Sequence, residues 1–142
     1  MLRLTGLQVS GASQVREATL YLTSEHKGRE RARDNPEGSV DGSLSVLAAA
    51  AGVLAYSGAP GEWLVDGEKM PLREASGKDP YTSRAAAGGF EETVRFRAPT
   101  ESVVAAANGG SAALVIGTVR IELTTQQHAE LRELAARLNP RP

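Results

Sequence analysis

The sequence predicts a single α+β domain over residues 1–142, with a mainly antiparallel, curved sheet and a C-terminal helix packed on one face. Three observations predict it. The segment Thr125 to Leu138 repeats leucines at helical spacing, several earlier segments alternate apolar and polar residues, and Asp66-Gly67 sits between two short runs. Strands and helices that follow in no regular alternation favour an antiparallel sheet over βαβ units.

Taken in order, Leu2 to Val9 alternates around Gly6, Gly11-Ala12-Ser13 suits a turn, and Ala18 to Thr23 alternates again. Leu20 and Leu22 point inward, and Thr19, Tyr21 and Thr23 outward, so the two segments read as a hairpin. Residues 24–42 have almost no apolar content and read as a mobile loop. The run Ser43 to Tyr56 offers Leu44, Leu47, Ala48, Ala51, Leu54 and Ala55 at helical spacing, with Asp41 or Ser43 as a cap. Four consecutive alanines tilt it toward helix, although strand, turn at Gly52 and strand also fit.

Trp63 to Leu72 is the Asp-Gly hairpin, with Pro71 placing its second arm at an edge or strand end. Residues 73–89 carry the breakers Ser76-Gly77, Asp79-Pro80 and Gly88-Gly89 and read as a second mobile loop. Thr93 to Ala98 is a strand with Val94, Phe96 and Ala98 on one face and Arg95 and Arg97 on the other. Thr100 is the expected N-cap of a short helix from Glu101 to Ala107, closed by Asn108-Gly109-Gly110, residues that tolerate the left-handed conformation. Strands Ala113 to Ile116 and Val119 to Leu123 flank Gly117-Thr118. Thr124 then caps the last helix with Gln127 at the capping-box position, its inward stripe being Leu131, Leu134, Ala135 and Leu138.

Composition excludes much chemistry. The 142 residues include no cysteine, two histidines, one tryptophan, three tyrosines and two phenylalanines, so thiol nucleophiles and zinc-thiolate sites are ruled out. The core must be aliphatic. A net charge of −1 gives no field favouring nucleic acid. Arginine outnumbers lysine thirteen to three, a bias that reads first as GC-rich bacterial coding. No basic stretch leads into an apolar run at the start, and the most apolar run is too short for a bilayer. The chain reads as soluble and cytoplasmic, without a membrane span.

Neither histidine sits in a motif. His26 lies in the charged loop and reads as solvated. His128, in the first turn of the last helix, reads as a neutral surface or rim residue. The stretch Asp34 to Gly38 with Asp41 departs from a calcium loop, with proline at a ligand position and no distal glutamate. Neither a metal nor a cofactor is expected. Glu91 and Glu92, adjacent on a strand, point to opposite faces and read as a solvated strand entrance.

Two features suggest binding. Arg95, Arg97 and Arg120 lie on strand faces opposite the core, where neighbouring strands would align them with Glu122. They either keep the sheet soluble through ion pairs or meet an anionic or protein partner. Trp63, Tyr81 and Phe90 lie in or beside the loop-rich middle and are either interface anchors or plugs under a loop.

From Trp63 to Leu138 the chain resembles the layout of small uncharacterised bacterial proteins. The shared parts are an Asp-Gly hairpin, a strand, a short helix, a paired strand ending Ile121-Glu122-Leu123-Thr124 and a terminal leucine helix. The resemblance covers about half the chain and implies a fold but no activity. The expectation is a non-catalytic binding or assembly module that self-associates or meets a protein partner. The alternative is a cofactor-free hydrolase or isomerase using Glu62, Glu91 or Glu92, Asp66, Asp79 and Tyr56 or Tyr81 in a sheet-lined pocket.

Overall fold

The structure, a computed structural model, describes residues 2–11, 14–23, 39–75, 79–86 and 88–138. It is α+β, with two antiparallel sheets where the sequence suggested one, and its C-terminal helix packs against sheet as expected. The first sheet runs in the order β1 (Leu2–Leu4), β3 (Val15–Thr23), β4 (Ser39–Ala48), β9 (Gly89–Pro99). Along the outer edge of β9 lie, one after the other, β7 (Arg73–Glu74) and β8 (Tyr81–Ala86). The second sheet runs β2 (Gln8–Ser10), β11 (Val119–Glu122), β10 (Ala112–Ile116), β5 (Glu62–Val65), β6 (Glu68–Pro71). Helices α1 (Thr100–Asn108) and α2 (Thr125–Leu138) pack on each other, α1 also meeting both sheets and α2 meeting β1.

Alternation decides which side of the first sheet is inside. Leu20 and Leu22 of β3, Leu44 and Val46 of β4, and Val94, Phe96 and Ala98 of β9 are buried, while their neighbours in the chain face outward. Gly42 is required by this packing: a Cβ there would overlap the Phe96 ring on the neighbouring strand. From the second sheet, Trp63, Leu114, Ile116 and Ile121 are wholly buried in the same core. The Trp63 indole N–H has no partner among the described residues. Its cost, about 1–3 kcal/mol, is below the roughly 3–5 kcal/mol that truncating a buried tryptophan forfeits, so burial wins.

Several local expectations hold. β1 pairs with β3, Leu4 opposite Leu20, but the chain turns at Gly6 (φ +61°) and β2 joins the second sheet instead. Asp66 (φ +50°) and Gly67 (φ +85°) have the two left-handed conformations of a type I′ hairpin. The Asp66 carboxylate accepts from Ser111 N (2.8 Å) and Gly110 N (3.3 Å), tying the hairpin tip to the loop after α1. These backbone donors, Ser111 first, hold its carboxyl below the ordinary range. The α2 capping box forms: Gln127 N donates to Thr124 Oγ1 (3.1 Å) and Thr124 N to Gln127 Oε1 (2.9 Å). Gln127 Nε2 also donates to Thr5 O at 2.8 Å, strapping α2 to the crossing between β1 and β2.

Other expectations are corrected. Residues 43–56 are not a helix. They continue β4 to Ala48 and then turn at residues 51–54. β4 is central, bonded to β3 and β9 along its length, and this pairing overrides the helical spacing of Leu44, Leu47 and Ala48, while the other three alanines, 49–51, lie past its end. Of the strand, turn and strand alternative, the second strand is absent; the first strand forms, and so does the turn. The turn docks on the β10–β11 turn, where Gly117 (φ +58°) has no room for a side chain beside Leu54 O. Of the two expected loops, residues 39–42 belong to β4, and residues 73–74 and 81–86 are strands bonded to β9. Residues 24–38, with His26 and the Asp34 to Gly38 stretch, lie outside the described residues.

At α1, Pro99 rather than Thr100 is the N-cap, and Ser102 Oγ donates to Pro99 O (2.7 Å). Its C-cap Gly109 is extended (φ −70°), not left-handed. His128 is 8% exposed rather than superficial. Its Nε2 lies 2.9 Å from Ala106 O, a group that only accepts, so Nε2 carries the proton of this α2–α1 bond.

Gln127 joins a cap to a long-range strap. Gln127→Ala is expected to cost about 2 kcal/mol, one cap and one half-buried hydrogen bond together. Urea unfolding followed by the fluorescence of Trp63, the sole tryptophan, measures it; a loss below about 0.5 kcal/mol, typical of plain surface changes, would rule the strap out.

Candidate functional site

The outward side of the first sheet is built by register. One transverse row joins Thr19, Ser45, Thr93 and Thr82 across four strands. Ser45 Oγ and Thr93 Oγ1 are 2.9 Å apart within it. The next row is Arg3, Tyr21, Ser43 and Arg95, with the Arg3 guanidinium 6.0 Å from the Tyr21 ring centre. Beyond it come Thr23, Asp41, Arg97 and Arg73. On the other side of the hydroxyl row lie Glu17, Leu47, Glu91 and Arg84, where Arg84 Nε meets Glu91 Oε1 at 2.8 Å. Small hydroxyl side chains between long arginines make a donor-rich surface, its rows roughly 7 Å apart by strand geometry.

Arg95 and Arg97 stand at one corner of this surface, as predicted on the face opposite the core. Arg95 Nη1 donates to Asp79 O (3.3 Å) and Thr82 Oγ1 (3.4 Å), and Arg97 Nε to Glu74 O (2.9 Å). Among the described residues, neither makes an ion pair, and neither does Arg73. Arg73 is directly opposite Arg97, a like-charge pair that costs a few tenths to about 1 kcal/mol. Each guanidinium still has donors to spare.

The other predicted residues go elsewhere. Arg120 is on β11 of the second sheet, paired with Glu122 at 3.1 Å, and shares no surface with Arg95 and Arg97. Trp63 is wholly buried, so it is a core plug and not a surface anchor. Phe90 is 37% exposed and lies at the end of β9, between Ala48 and Ala85. It shares the inward side of the sheet but extends past the core.

Tyr81 belongs to a cluster that the sequence half revealed. Glu92 is on the inward face of β9 and 0% exposed, so it is not a solvated strand entrance. The opposite-faces expectation for Glu91 and Glu92 holds. Glu92 Oε1 accepts from the Tyr81 hydroxyl (2.7 Å) and Oε2 from Val53 N (3.0 Å). Tyr56 stacks on Tyr81, with ring centres 5.4 Å apart and planes 4° from parallel. Both carboxylate oxygens are therefore engaged in holding the turn after β4 to β8. The remaining acids are dispersed: Glu62 is 4.0 Å from Lys69 Nζ, Asp66 serves the hairpin, and Glu91 takes Arg84. Among the described residues no group of three His, Asp or Glu side chains is placed to hold a metal ion, and no helix is long and apolar enough to cross a membrane.

Sequence reading missed Arg73, placed in an expected loop, and the hydroxyl row. The signal for the row was present in the alternation Thr19-x-Tyr21-x-Thr23 and Ser43-x-Ser45, once both segments are read as strands.

Burial pushes the Tyr81 phenol up, and its bond to the Glu92 carboxylate adds to the rise. A folded-state value above the unfolded one gives stability that is complete below the ordinary phenol range near about 10 and is lost as pH rises through the folded value. The thermal midpoint of the wild type is expected to fall more steeply than that of Tyr81→Phe above this range; parallel declines would exclude the linkage.

No family model, no curated protein and no solved structure matches this chain.

Proposed function

We propose that the chain is a non-catalytic binding module whose outward sheet face, centred on Arg95, Arg97 and Arg73, engages an acidic segment of a protein partner. The observation that carries this reading is the Arg73–Arg97 juxtaposition beside Arg95, without an ion pair among the described residues. Like charges set side by side weaken a fold and strengthen its attraction for carboxylates, which arginine takes with two parallel hydrogen bonds.

Asp41, Glu17 and Glu91 interleave with the arginines on the same face. That alternation suits a patterned protein segment better than the uniform phosphate array of a nucleic acid. The hydroxyls of Thr19, Ser45, Thr93 and Thr82 add acceptors and donors for a polar main chain. The hydrolase or isomerase alternative calls for carboxylates and tyrosines converging in a pocket. Glu92, Tyr81 and Tyr56 do converge, but both Glu92 oxygens are taken by Tyr81 and Val53. That supports a structural role for the cluster and a binding role for the chain.

A fluorescein-labelled poly-glutamate peptide provides the probe. The wild type is expected to bind it with an affinity that falls as salt rises. Arg95→Ala combined with Arg97→Ala should weaken binding at least about tenfold, from the loss of two charge-assisted contacts. Arg120→Ala on the other sheet should leave binding unchanged. Fluorescence anisotropy reads all three, and either no binding by the wild type or equal binding by the double variant counts against the proposal.

A further inference from the structure

Strand β8 is the outermost strand on its side of the first sheet among the described residues, and its free edge has a symmetry of its own. Arg95 N donates to Pro80 O at 2.7 Å, so the main-chain groups of residue 80 point toward β9. In an antiparallel ladder this alternates. Thr82, Arg84 and Ala86 therefore also bond toward β9, and the N–H and C=O groups of Tyr81, Ser83 and Ala85 point away from it. These three residues are evenly spaced about Ser83.

The other described edges are guarded. β1 and β2 have three residues each, β7 has two, and β6 carries Lys69 and ends at Pro71. β8 has six residues, no proline and one charge, Arg84, already matched by Glu91 at 2.8 Å. A long edge with its charge neutralised on the strand behind it invites another strand.

We infer that β8 pairs antiparallel with β8 of a second copy of this chain, about a twofold axis through Ser83. In that register Ser83 faces Ser83 of the second copy, and Tyr81 faces its Ala85, so every outward N–H meets an outward C=O. Arg84 falls opposite Thr82 rather than opposite itself, which avoids a like-charge pair. The large Tyr81 ring meets the small Ala85 methyl. Phe90, the large apolar side chain left exposed among the described residues, is in register with Ala85 on its own copy. It therefore lies in the same transverse row as Tyr81 of the second copy, with only a methyl group between them, and pairing covers both rings. The result is a continuous sheet with the Arg95–Arg97 corner of each copy on one outward surface. The inference is independent of whether that corner binds an acidic partner.

Light scattering of the full chain is expected to give about twice its 14.9 kDa mass at high concentration. Ser83→Pro removes an N–H that β9 does not use, so it should give a monomer with an unchanged circular dichroism spectrum. The wild type contains no cysteine, so Ser83→Cys makes a single-thiol chain. Residues facing each other in a hydrogen-bonded pair have Cα atoms about 5.5 Å apart, within disulfide reach. Mild oxidation should link Ser83→Cys into a covalent dimer faster than Ser10→Cys on the β2 edge. A wild type that stays monomeric at millimolar concentration overturns the inference. So does Ser83→Cys linking no faster than Ser10→Cys, which decides the matter even where Ser83→Pro fails to fold.

Discussion

A carboxylate inside an apolar wall requires donors, and much of this molecule is arranged around that requirement. Glu92 takes the place in the inward row of β9 where a valine or leucine would otherwise sit. Left unpaired, a buried charge would cost several kcal/mol, on the order expected when one member of a buried polar pair is removed. Its two oxygens are met from different directions, by Tyr81 on the edge strand and by Val53 on the segment leaving β4. One side chain therefore ties the edge strand β8 to the segment by which the chain leaves the first sheet after β4.

Five connections cross between the sheets, and polar side chains pin two of them. Between β1 and β2 the chain turns at Gly6, and the amide of Gln127 holds the carbonyl of Thr5 while the same side chain caps α2. Between β4 and β5, Val53 is held to Glu92, and Thr118 Oγ1 donates to Val53 O at 3.0 Å from the second sheet. The apolar residues of the two sheets and helices then close one core around Trp63 and Phe96. Hydrophobic burial supplies the stabilisation, but it is non-directional. The register of one sheet on the other comes from these few directed bonds.

A sheet anchored from within leaves its other face unconstrained by the core, as the proposed binding role requires. Strands β3, β4 and β9 are long and in unbroken register over most of their length, with a single irregularity near Val15 and Glu17. The rows of hydroxyls and arginines are thereby held in place by the backbone ladder and need few side-chain contacts to stay ordered. Clustering Arg73, Arg95 and Arg97 is tolerable because solvent screens exposed charges and the cost is well below the total stability of a domain.

Local chemistry in the sequence determined the Asp66-Gly67 hairpin, the Thr124 and Gln127 capping box, the leucine stripe of α2 and the two faces of β9. Each depends on residues within a few positions of one another, so propensity and periodicity suffice. The α+β class followed from them. What neighbours in space decide was not legible. Leu44, Leu47 and Ala48 stand at helical spacing, yet they are in a strand because β3 and β9 lie on either side of β4. Residues 81–86 lack strong strand character and are ordered by pairing with β9. Burial of Glu92 and His128, and the separation of Arg120 from Arg95 and Arg97, depend on which sheet each strand joins. Sheet membership is set by contacts distant in sequence, and a one-dimensional pattern carries the face of a strand but not the identity of its neighbour.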